Sequence, residues 1–418
     1  MSARPGVLPV REQDRVIHRV LQKRLDTLLP VAMREAGIDL WLILCQEDDP
    51  DPVFRSMMPM DTWTPILQML LFHDRGEAEG VERVNYSMTD TQGLFDQPWS
   101  GSRFEEQWTW LRRAIEERDP RRIGINVGSV AWAAGGLTHN LHAQITALLP
   151  HRYVERLVSA EAACTRWLMT LTEDELELFP HAVSVSRAII AECYDPQRVV
   201  PGVITTEDLQ WHYWQRCADL GLEPSFKPSF SILRSSAEKA RHPTTDRVIR
   251  RGDVLHCDVG LRYLRLTTDH QELAYVRREG EEDAPEGLRR FWDHTARLRG
   301  VFMAEFQRGL TGNELLKRIL TRAREEGIPG PKVYGHSLGL LLHQPGPLIG
   351  LPWEQECCPG RGDVKLEHNT CYTMELSIAA PVPEWDNQEV RFPTEQDVAF
   401  TEIGCHPIGG LQTGYHLV

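Results

Sequence analysis

Four carboxylate residues and one histidine in the second half of the chain have the types needed to bind metal ions. In chain order they are Asp258, Asp269, His336, Glu375 and Glu395. None of them is close enough in sequence to another to be its neighbour on one helix, so only the tertiary fold can bring them together. A pocket that collected them would hold up to four negative charges, which are costly to bury without cations. The five residues therefore predict a metal site, and their number favours two metal ions.

The first two carboxylates are predicted to lie on adjacent strands. Asp258 is near the end of the apolar segment 254–259 and is followed by Gly260, and Asp269 comes eleven residues after it. Two antiparallel strands would set these carboxylates side by side, where their repulsion raises a pKa unless a cation lies between them. Taken alone, Asp269 is more often a solvated turn residue and Asp258 a capping residue. The prediction of a metal site therefore depends on the other three residues.

The remaining three residues also sit in segments that suit a buried site. His336 follows Gly335, and a glycine lets backbone and ligands approach closely. Glu375 interrupts an apolar strand, and buried glutamates are uncommon unless paired or bound to metal. Glu395 leads into a strand and turn over residues 398–404. By itself, His336 is as often a satisfied core histidine as a ligand.

Taken jointly, the order Asp–Asp–His–Glu–Glu with these spacings resembles the pita-bread metallopeptidases. That family includes methionine aminopeptidase, Xaa-Pro aminopeptidase, prolidase and the metal-free creatinase. The resemblance covers about residues 172–404, and the part before it resembles the N-terminal domain of creatinase, prolidase and Xaa-Pro aminopeptidase. It implies an α/β N-terminal domain over residues 1–168 and an α+β pita-bread catalytic domain over residues 169–418.

The resemblance also implies a role for each ligand. Asp258 would chelate one metal ion, and His336 and Glu375 would bind the other. Asp269 and Glu395 would bridge the two ions. Ligation by oxygen atoms and a single imidazole suits Mn(II), Fe(II) or Co(II) better than a structural zinc site. We therefore expect two divalent metal ions, drawn from Mn, Co, Fe or Zn, with manganese favoured.

The substrate side of the site is assigned by the same resemblance. His242 and His343 match the positions of the family's two substrate-side histidines, and each would stabilise the developing oxyanion or protonate the leaving nitrogen. Glu375 would also handle protons, and Arg391 is a further candidate for substrate binding. Two ions that share a water would lower its pKa, and the hydroxide would attack a polarised peptide carbonyl. For each histidine the less favoured alternative is a polar cleft residue with no catalytic task.

Several residues around the ligands depart from the family pattern. His270-Gln271-Glu272 replaces a Thr-Arg pair, Gln344 replaces an acidic residue, and Leu376-Ser377 replaces Pro-Gly after the fourth ligand. Three function hypotheses follow. The first is a hydrolase of short peptides that resembles Xaa-Pro aminopeptidase or prolidase. The second is a non-peptide enzyme on the same site, either a lyase or a C–N hydrolase of a small metabolite. The third, a catalytically dead binding protein, is disfavoured because all five ligands are kept.

Composition limits the partners and the compartment. The 418-residue chain has a net charge of −14, which disfavours nucleic acid and anionic membranes as partners. No apolar run approaches the roughly 20 residues of a membrane helix, and the N-terminus does not resemble a secretion signal. The nine cysteines form no CxxC pair, which favours a reducing, cytoplasmic compartment. The resemblance implies a homodimer with a small peptide or other small molecule as substrate.

The elements that must position these residues can be sketched from periodicity. Residues 11–35 have helical spacing with a break expected at Pro30, and the apolar run 38–45 predicts a buried strand. A long helix should run from Thr172 to Cys193, where Pro180 would kink it or delay its start. Thr311 and Glu314 form a capping box for a later helix. Pairs of helices followed by strands thus occur twice in the second half.

Overall fold

The chain forms two compact units, one over Leu8–Thr172 and the other over Glu173–Val418 together with residues 6–7. The structure is a computed structural model and describes residues 6–99 and 104–418. The first unit mixes parallel and antiparallel strands with helices, and the second is α+β, so the predicted fold class is confirmed. The division lies at residues 172–173, whereas the sequence suggested residues 168–169. The helix Glu161–Met169 explains this, because it belongs to the first unit.

The first unit is built on a five-stranded mixed sheet in the order β3-β2-β1-β4-β5. β1 pairs antiparallel with β2 and parallel with β4, and its buried central position explains the apolar run that predicted it. The strands are β1 Leu40–Gln46, β2 Leu67–Asp74, β3 Val81–Asn85, β4 Ile123–Ile125 and β5 Leu157–Ser159. The helices are α1 Val10–Lys23, α2 Leu29–Glu35, α3 Pro52–Met57, α4 Phe104–Arg118, α5 Ala131–Ala134, α6 His139–Leu148, α7 His151–Val154 and α8 Glu161–Met169.

The break expected at Pro30 takes another form. α1 and α2 are joined by a π-helical turn over Arg24–Leu28, so the chain stays helical from Val10 to Glu35. Proline has no N–H to donate to the preceding turn and its ring crowds that turn, and a wider π turn just before it accommodates both effects. Pro30 therefore falls in the first turn of α2, where helices tolerate proline.

The second unit contains a large sheet whose main path is β13-β12-β14-β15-β11-β8-β7. Neighbours along that path are antiparallel, and β10, β9 and β6 form a smaller sheet. The strands are β6 Glu223–Pro224, β7 Ser229–Leu233, β8 Val254–Val259, β9 Leu261–Tyr263, β10 Leu266–Thr267, β11 His270–Tyr275, β12 Lys332–Leu338, β13 Leu348–Ile349, β14 Thr370–Val382, β15 Gln388–Thr401, β16 Gly404–Pro407 and β17 His416–Leu417. The helices are α9 Glu173–Cys193, α10 Thr206–Asp219, α11 Ser236–Arg241, α12 Glu286–Ala304 and α13 Gly312–Glu325, with 3-10 turns at Thr244–Asp246, Arg361–Asp363 and Pro383–Trp385.

Two of the helix predictions can be checked directly. α9 runs without a break through Pro180, so the predicted later start is not needed. α13 begins at the predicted capping box, in which Thr311 Oγ1 accepts from the Glu314 N–H and the Glu314 carboxylate accepts from the Thr311 N–H. This confirms a prediction that depended only on residues three apart in sequence.

Side-chain alternation along β14 separates the core from the polar face of the large sheet. Tyr372, Met374, Leu376 and Ile378 belong to a buried apolar cluster that includes residues of α12 and α13. Successive side chains of a strand point to opposite faces, so Glu375 faces away from that cluster. The packing of the helices on one face thus fixes which face carries the polar residues.

Candidate metal centre

A row of polar side chains crosses four neighbouring strands of the large sheet. Glu375 on β14 is the register partner of Glu395 on β15, which is the partner of Gln271 on β11, which in turn is the partner of Asp258 on β8. Register partners on adjacent strands project to the same face. Three of the five predicted ligands are therefore brought into one line by strand pairing alone, with Gln271 between two of them.

Asp269 and His336 complete the group. Asp269 precedes β11 and lies two residues before Gln271, which places it on the same face of an extended chain. His336 Nε2 lies 3.5 Å from Asp269 Oδ2. Asp269, His336 and Glu395 each offer a ligand atom, and these atoms all lie within 4.8 Å of one another. The five predicted ligands line one cavity of about 270 Å³.

A glycine allows the close approach that positions the two aspartates. Gly260 follows β8, and a Cβ added to it would lie 2.0 Å from the carbonyl oxygen of Thr268. That distance is far too short for any side chain, so residue 260 must be glycine for the segment before Asp269 to pack against the end of β8. The glycine after Asp258 therefore has a structural task in forming the site.

The four carboxyl groups lie in an environment that disfavours their charged forms. Burial, with repulsion from neighbouring carboxylates, raises the pKa values of Asp269 and Glu395 well above their ordinary values. Burial also raises the pKa of Asp258 to about 6 and that of Glu375 to about 7. Asp269 Oδ1 and Glu395 Oε1 are buried and accept no hydrogen bond from any described residue. Such oxygens, close to an imidazole, fit a divalent cation.

His336 is prepared as a neutral ligand. Burial, with the charge of His343 in second place, lowers its pKa to about 3, so the ring is neutral near pH 7. Nδ1 lies 3.4 Å from the carbonyl oxygen of Ser337, which can only accept, so Nδ1 carries the proton. Nε2 is then left with its lone pair, on the side that faces Asp269. A hydrogen bond of this kind to the second ring nitrogen is what orients histidine ligands in metal sites.

Two buried residues of the site had no role assigned from the sequence. Gln271 lines the cavity, and its Nε2 donates to Glu395 Oε2 over 2.8 Å. Asp397, fully buried on β15, accepts at 3.4 Å from the backbone N–H of Asp269, and burial raises its pKa well above the ordinary value. Gln271 stood out in the sequence only as a departure from the family pattern, and Asp397 only as an acidic residue two positions after Glu395.

The three predicted substrate-side residues have different positions. His343 lines the cavity, exposed, with its ring centroid 4.3 Å from that of His336. His242 directly follows α11, and its backbone carbonyl accepts a hydrogen bond from the Arg234 side chain. It is not among the residues that line the metal cavity. Arg391 lies on β15 and donates to the Gly330 carbonyl and to Ser377 Oγ. The structure therefore brings only His343 together with the ligands.

Arg391 lines a second cavity that adjoins the first. This cavity has a volume of about 310 Å³ and shares Tyr334 and Glu375 with the metal cavity. Lys332 and Arg391 contribute positive charge to it, and its other walls include apolar residues such as Leu376. Tyr334 and Glu375 therefore line both cavities, and the two positively charged side chains lie in the second one.

Comparison with known proteins agrees with this geometry. Residues 177–406 match the model of metallopeptidase family M24, which is more than half of the chain. The chain belongs to metallopeptidase family M24. The metallopeptidases of this family use divalent metals, and membership makes the chain a metallopeptidase-like hydrolase with the pita-bread fold. A search of curated protein sequences finds no match.

Several solved structures share the fold over nearly the whole chain. An X-Pro aminopeptidase from Thermotoga maritima is 18% identical, with a TM-score of 0.65 over 93% of this chain and 100% of that one. An Xaa-Pro dipeptidase from Bacillus anthracis is 15% identical, with a TM-score of 0.63 over 95% of this chain and 100% of that one. The N-terminal domain of the FACT complex subunit SPT16 from Cicer arietinum is 9% identical, with a TM-score of 0.58 over 94% and 97%. At these identities the likeness establishes the fold and leaves the substrate open.

No helix within residues 6–99 and 104–418 is both long and apolar enough to cross a membrane.

Proposed function

We propose that this M24 member is a divalent-metal-dependent hydrolase of short peptides, similar in its reaction to Xaa-Pro aminopeptidases and prolidases. The observation that carries the proposal is the cavity lined by four carboxylates and two imidazoles, with two buried carboxylate oxygens that have no partner among the described residues. That much buried negative charge is unfavourable unless cations neutralise it. The two first-named structural neighbours, an X-Pro aminopeptidase and an Xaa-Pro dipeptidase, support the substrate class.

The proposed centre holds two divalent ions, with manganese favoured. Asp258 would bind one ion, His336 and Glu375 the other, and Asp269 and Glu395 would lie between them. When bound, the ions supply Lewis acidity, which lowers the pKa of a coordinated water and polarises a carbonyl. Oxygen-rich ligation with one imidazole suits Mn(II), Co(II) or Fe(II).

The protein's own residues would position the substrate and move protons. His343 is exposed at the cavity, and partial burial and the charge of Arg361 lower its pKa, so a neutral ring can donate one hydrogen bond to a substrate oxygen or to the leaving nitrogen. Glu375 lines both cavities and is placed to take up a proton and return it. Arg391 and Lys332 in the adjoining cavity would attract a substrate carboxylate. His242 would contact only those parts of a substrate that extend beyond the cavity.

A substrate panel tests this proposal. The full chain, loaded with Mn(II) or Co(II), is assayed against Xaa-Pro dipeptides, Xaa-Pro tripeptides and the same peptides without proline. We expect hydrolysis that is abolished by a chelator and by Glu375→Ala. Glu402→Gln, at an exposed glutamate in the turn after β15, is the matched control and should keep full activity. If no peptide is cleaved with either metal, the proposal fails.

A second candidate is a hydrolase or lyase that acts on a small non-peptide metabolite. The observation that favours it is the pair of neutral glutamines, Gln271 in the ligand row and Gln344 after His343, where the family pattern is different. Gln344 is fully buried and its side chain accepts from Ser337 Oγ, so the replacement is integrated into the fold. A screen of small amides and amidines with the metal-loaded protein separates this candidate from the first.

Compartment and assembly are also part of the proposal. All nine cysteines are unpaired, and seven of them are buried, which suits the reducing environment of the cytoplasm. We expect a homodimer, because the family resemblance implies one. Light scattering on the purified protein tests the dimer, and an unchanged unfolding transition with and without reductant would agree with unpaired cysteines.

A further inference from the structure

Tyr334 lines the metal cavity, and the proposed reaction does not yet use it. It lies on β12, where it is the register partner of Glu375 on β14. Side chains paired in this way project to the same face of the sheet, with Cβ atoms about 5 Å apart. Tyr334 therefore stands beside Glu375 and extends the ligand row by one strand, and the same two side chains also line the second cavity.

The hydroxyl of Tyr334 is uncommitted. It forms no hydrogen bond with any residue within 6–99 and 104–418. Electrostatic interactions join it to the carboxylates of Asp269, Glu375 and Glu395, which places it near the ligands. A phenol carries its proton near pH 7, so this hydroxyl can donate one hydrogen bond. The cavity thus contains a donor that the folded chain does not use internally.

Tyr334 and Glu375 have complementary chemistry. An ionised carboxylate can take up a proton but has none to donate, whereas a phenol keeps its proton and donates a hydrogen bond. The reacting carbonyl has to come close to Glu375, because the water that attacks it gives up its proton there. The neighbouring hydroxyl then lies on the side of the reacting group that Glu375 itself cannot stabilise. Fixed donors of this kind act where negative charge develops during the reaction.

We propose that Tyr334 is a catalytic residue whose hydroxyl donates a hydrogen bond to the carbonyl oxygen of the scissile amide and stabilises the negative charge that develops on it. As the water oxygen bonds to the carbonyl carbon, an electron pair of the C=O bond moves onto this oxygen, and Glu375 takes the water's proton. When the pair returns, the C–N bond breaks and Glu375 gives the proton to the leaving nitrogen. Tyr334 keeps its own proton throughout, and His343 is left to hydrogen-bond the leaving nitrogen. The inference rests on the proposed function, since it assumes that a peptide reacts in this cavity.

Tyr334→Phe tests the proposal, because it removes the hydroxyl and keeps the ring. In the full chain loaded with Mn(II), we expect kcat on a cleaved peptide to fall by about 10²-fold, the usual cost of losing one such donor, while KM changes by less than about threefold. The metal content should equal that of the natural protein. Tyr153→Phe is the matched control, because Tyr153 lies on α7 in the first unit and lines neither cavity, and it should keep full activity.

A thioamide substrate shows which atom the hydroxyl contacts. Sulfur in place of the scissile carbonyl oxygen accepts hydrogen bonds only weakly. We therefore expect the ratio of kcat/KM values, oxygen substrate over sulfur substrate, to be at least about tenfold smaller in Tyr334→Phe than in the natural protein. Both proteins hold the same metal, so its own preference for sulfur cancels in this comparison. A merely structural effect of the substitution would lower the rates on both substrates equally.

Binding of a phosphinic dipeptide measures the same contact without turnover. Its tetrahedral, negatively charged group replaces the scissile amide and has the shape of the attacked carbonyl. In a calorimeter we expect Tyr334→Phe to bind it at least about tenfold more weakly than the natural protein, because analogues of this kind use the contacts of the transition state. Tyr153→Phe should bind it as the natural protein does, and circular dichroism checks that both variants are folded.

The outcomes separate this inference from the proposed function. If the natural protein cleaves peptides and Tyr334→Phe keeps its kcat, the inference is overturned and the peptidase proposal stands. Equal losses on the oxygen and sulfur substrates, with unchanged binding of the phosphinic dipeptide, would also overturn the inference alone. A lower kcat with a smaller oxygen-to-sulfur ratio and weaker phosphinic binding would support both. If the natural protein cleaves no peptide and does not bind the phosphinic dipeptide, both are wrong.

Discussion

Glu375 and Glu395 lie directly opposite each other on the antiparallel strands β14 and β15. Side chains at such positions have Cβ atoms about 5 Å apart, and like charges placed this way destabilise a sheet. Both carboxylates have pKa values raised mainly by burial, which means that the charged forms are unfavourable in the folded protein without a counterion. Strand pairing therefore keeps the two carboxylates close together, and bound cations would relieve the repulsion between them.

Divalent metal should stabilise the protein through these carboxylates. We expect Mn(II) at a hundredfold excess over its dissociation constant to stabilise the folded state by about 2.7 kcal/mol, seen as a higher Tm in calorimetry. Glu395→Gln removes one charge from the group, so it should raise the Tm of the metal-free protein and reduce the gain on adding Mn(II). Glu402→Gln, at an exposed position, should change neither value. An equal gain for all three proteins would mean that the metal binds elsewhere.

The pH dependence of Glu375→Gln should show the raised pKa of Glu375. Burial raises this pKa from 4.5 to about 7, so between these values the folded protein binds a proton that the unfolded chain has released. Stability due to this group therefore falls as pH rises from about 4.5 to about 7. In metal-free protein, Glu375→Gln should be similar to the natural protein below pH 4.5 and increasingly more stable than it towards pH 7. Denaturant midpoints from pH 4.5 to 8 measure the difference, and a difference that did not depend on pH would contradict the assignment.

Features that depend on residues close together in the sequence could be predicted, whereas features that join distant residues could not. The capping box of Thr311 and Glu314 involves residues only three apart, so the sequence alone predicts it. Glu375 was predicted to be inside an apolar strand because alternation is also a local property. The bond from Gln271 to Glu395 joins residues 124 positions apart, and it depends on how β11 and β15 are aligned. A shift of one residue would turn Gln271 to the other face, and no local pattern fixes that alignment.

The same limit applies to the substrate-side roles of His242 and Arg391. Their roles were assigned by likeness of position in a family, and neither lies in the metal cavity. Arg391 is four residues before Glu395 on one strand, so both face the same way but Arg391 reaches the adjoining cavity. Strand pairing in one sheet aligns Asp258, Glu375 and Glu395, whereas His242 follows the short helix α11 and has no place in that register.

Glu272 should contribute to stability through a buried network next to the site. It is fully buried, and its carboxylate accepts from Arg187 Nε at 2.7 Å and pairs with His416 Nε2 at 2.5 Å. Burial alone would raise its pKa, but the hydrogen bond from His416 and the charge of Arg187 outweigh burial and lower the pKa to about 2. We expect Glu272→Gln to lower the free energy of unfolding by about 3–5 kcal/mol at pH 7, because Arg187 loses its buried partner charge.

The stabilisation by Glu272 has a defined pH window. Because the folded pKa is lower than the ordinary value of 4.5, this contribution is fully present above pH 4.5 and is lost as pH falls towards 2. The difference between Glu272→Gln and the natural protein should therefore shrink below pH 4.5, as measured by denaturant unfolding. Glu286→Gln, at an exposed ion pair with Arg290, should change little at any pH. If both variants lost the same stability, the network would have no special role.

His343 and His242 should differ in their effect on hydrolysis. His343 lines the metal cavity next to His336, whereas His242 lies at the end of α11 and does not line it. Loss of a proton donor that acts in the transition state typically lowers the rate by about 10²–10⁴-fold. We therefore expect His343→Gln to lower kcat by about that factor, with a metal content equal to that of the natural protein. His242→Gln should change kcat by less than about tenfold and act mainly on KM for longer peptides. Steady-state kinetics on a dipeptide and a longer peptide measure both effects. If His242→Gln lost more kcat than His343→Gln, proton transfer would be assigned to His242. In that case α11 would have to move towards the metal cavity when substrate binds.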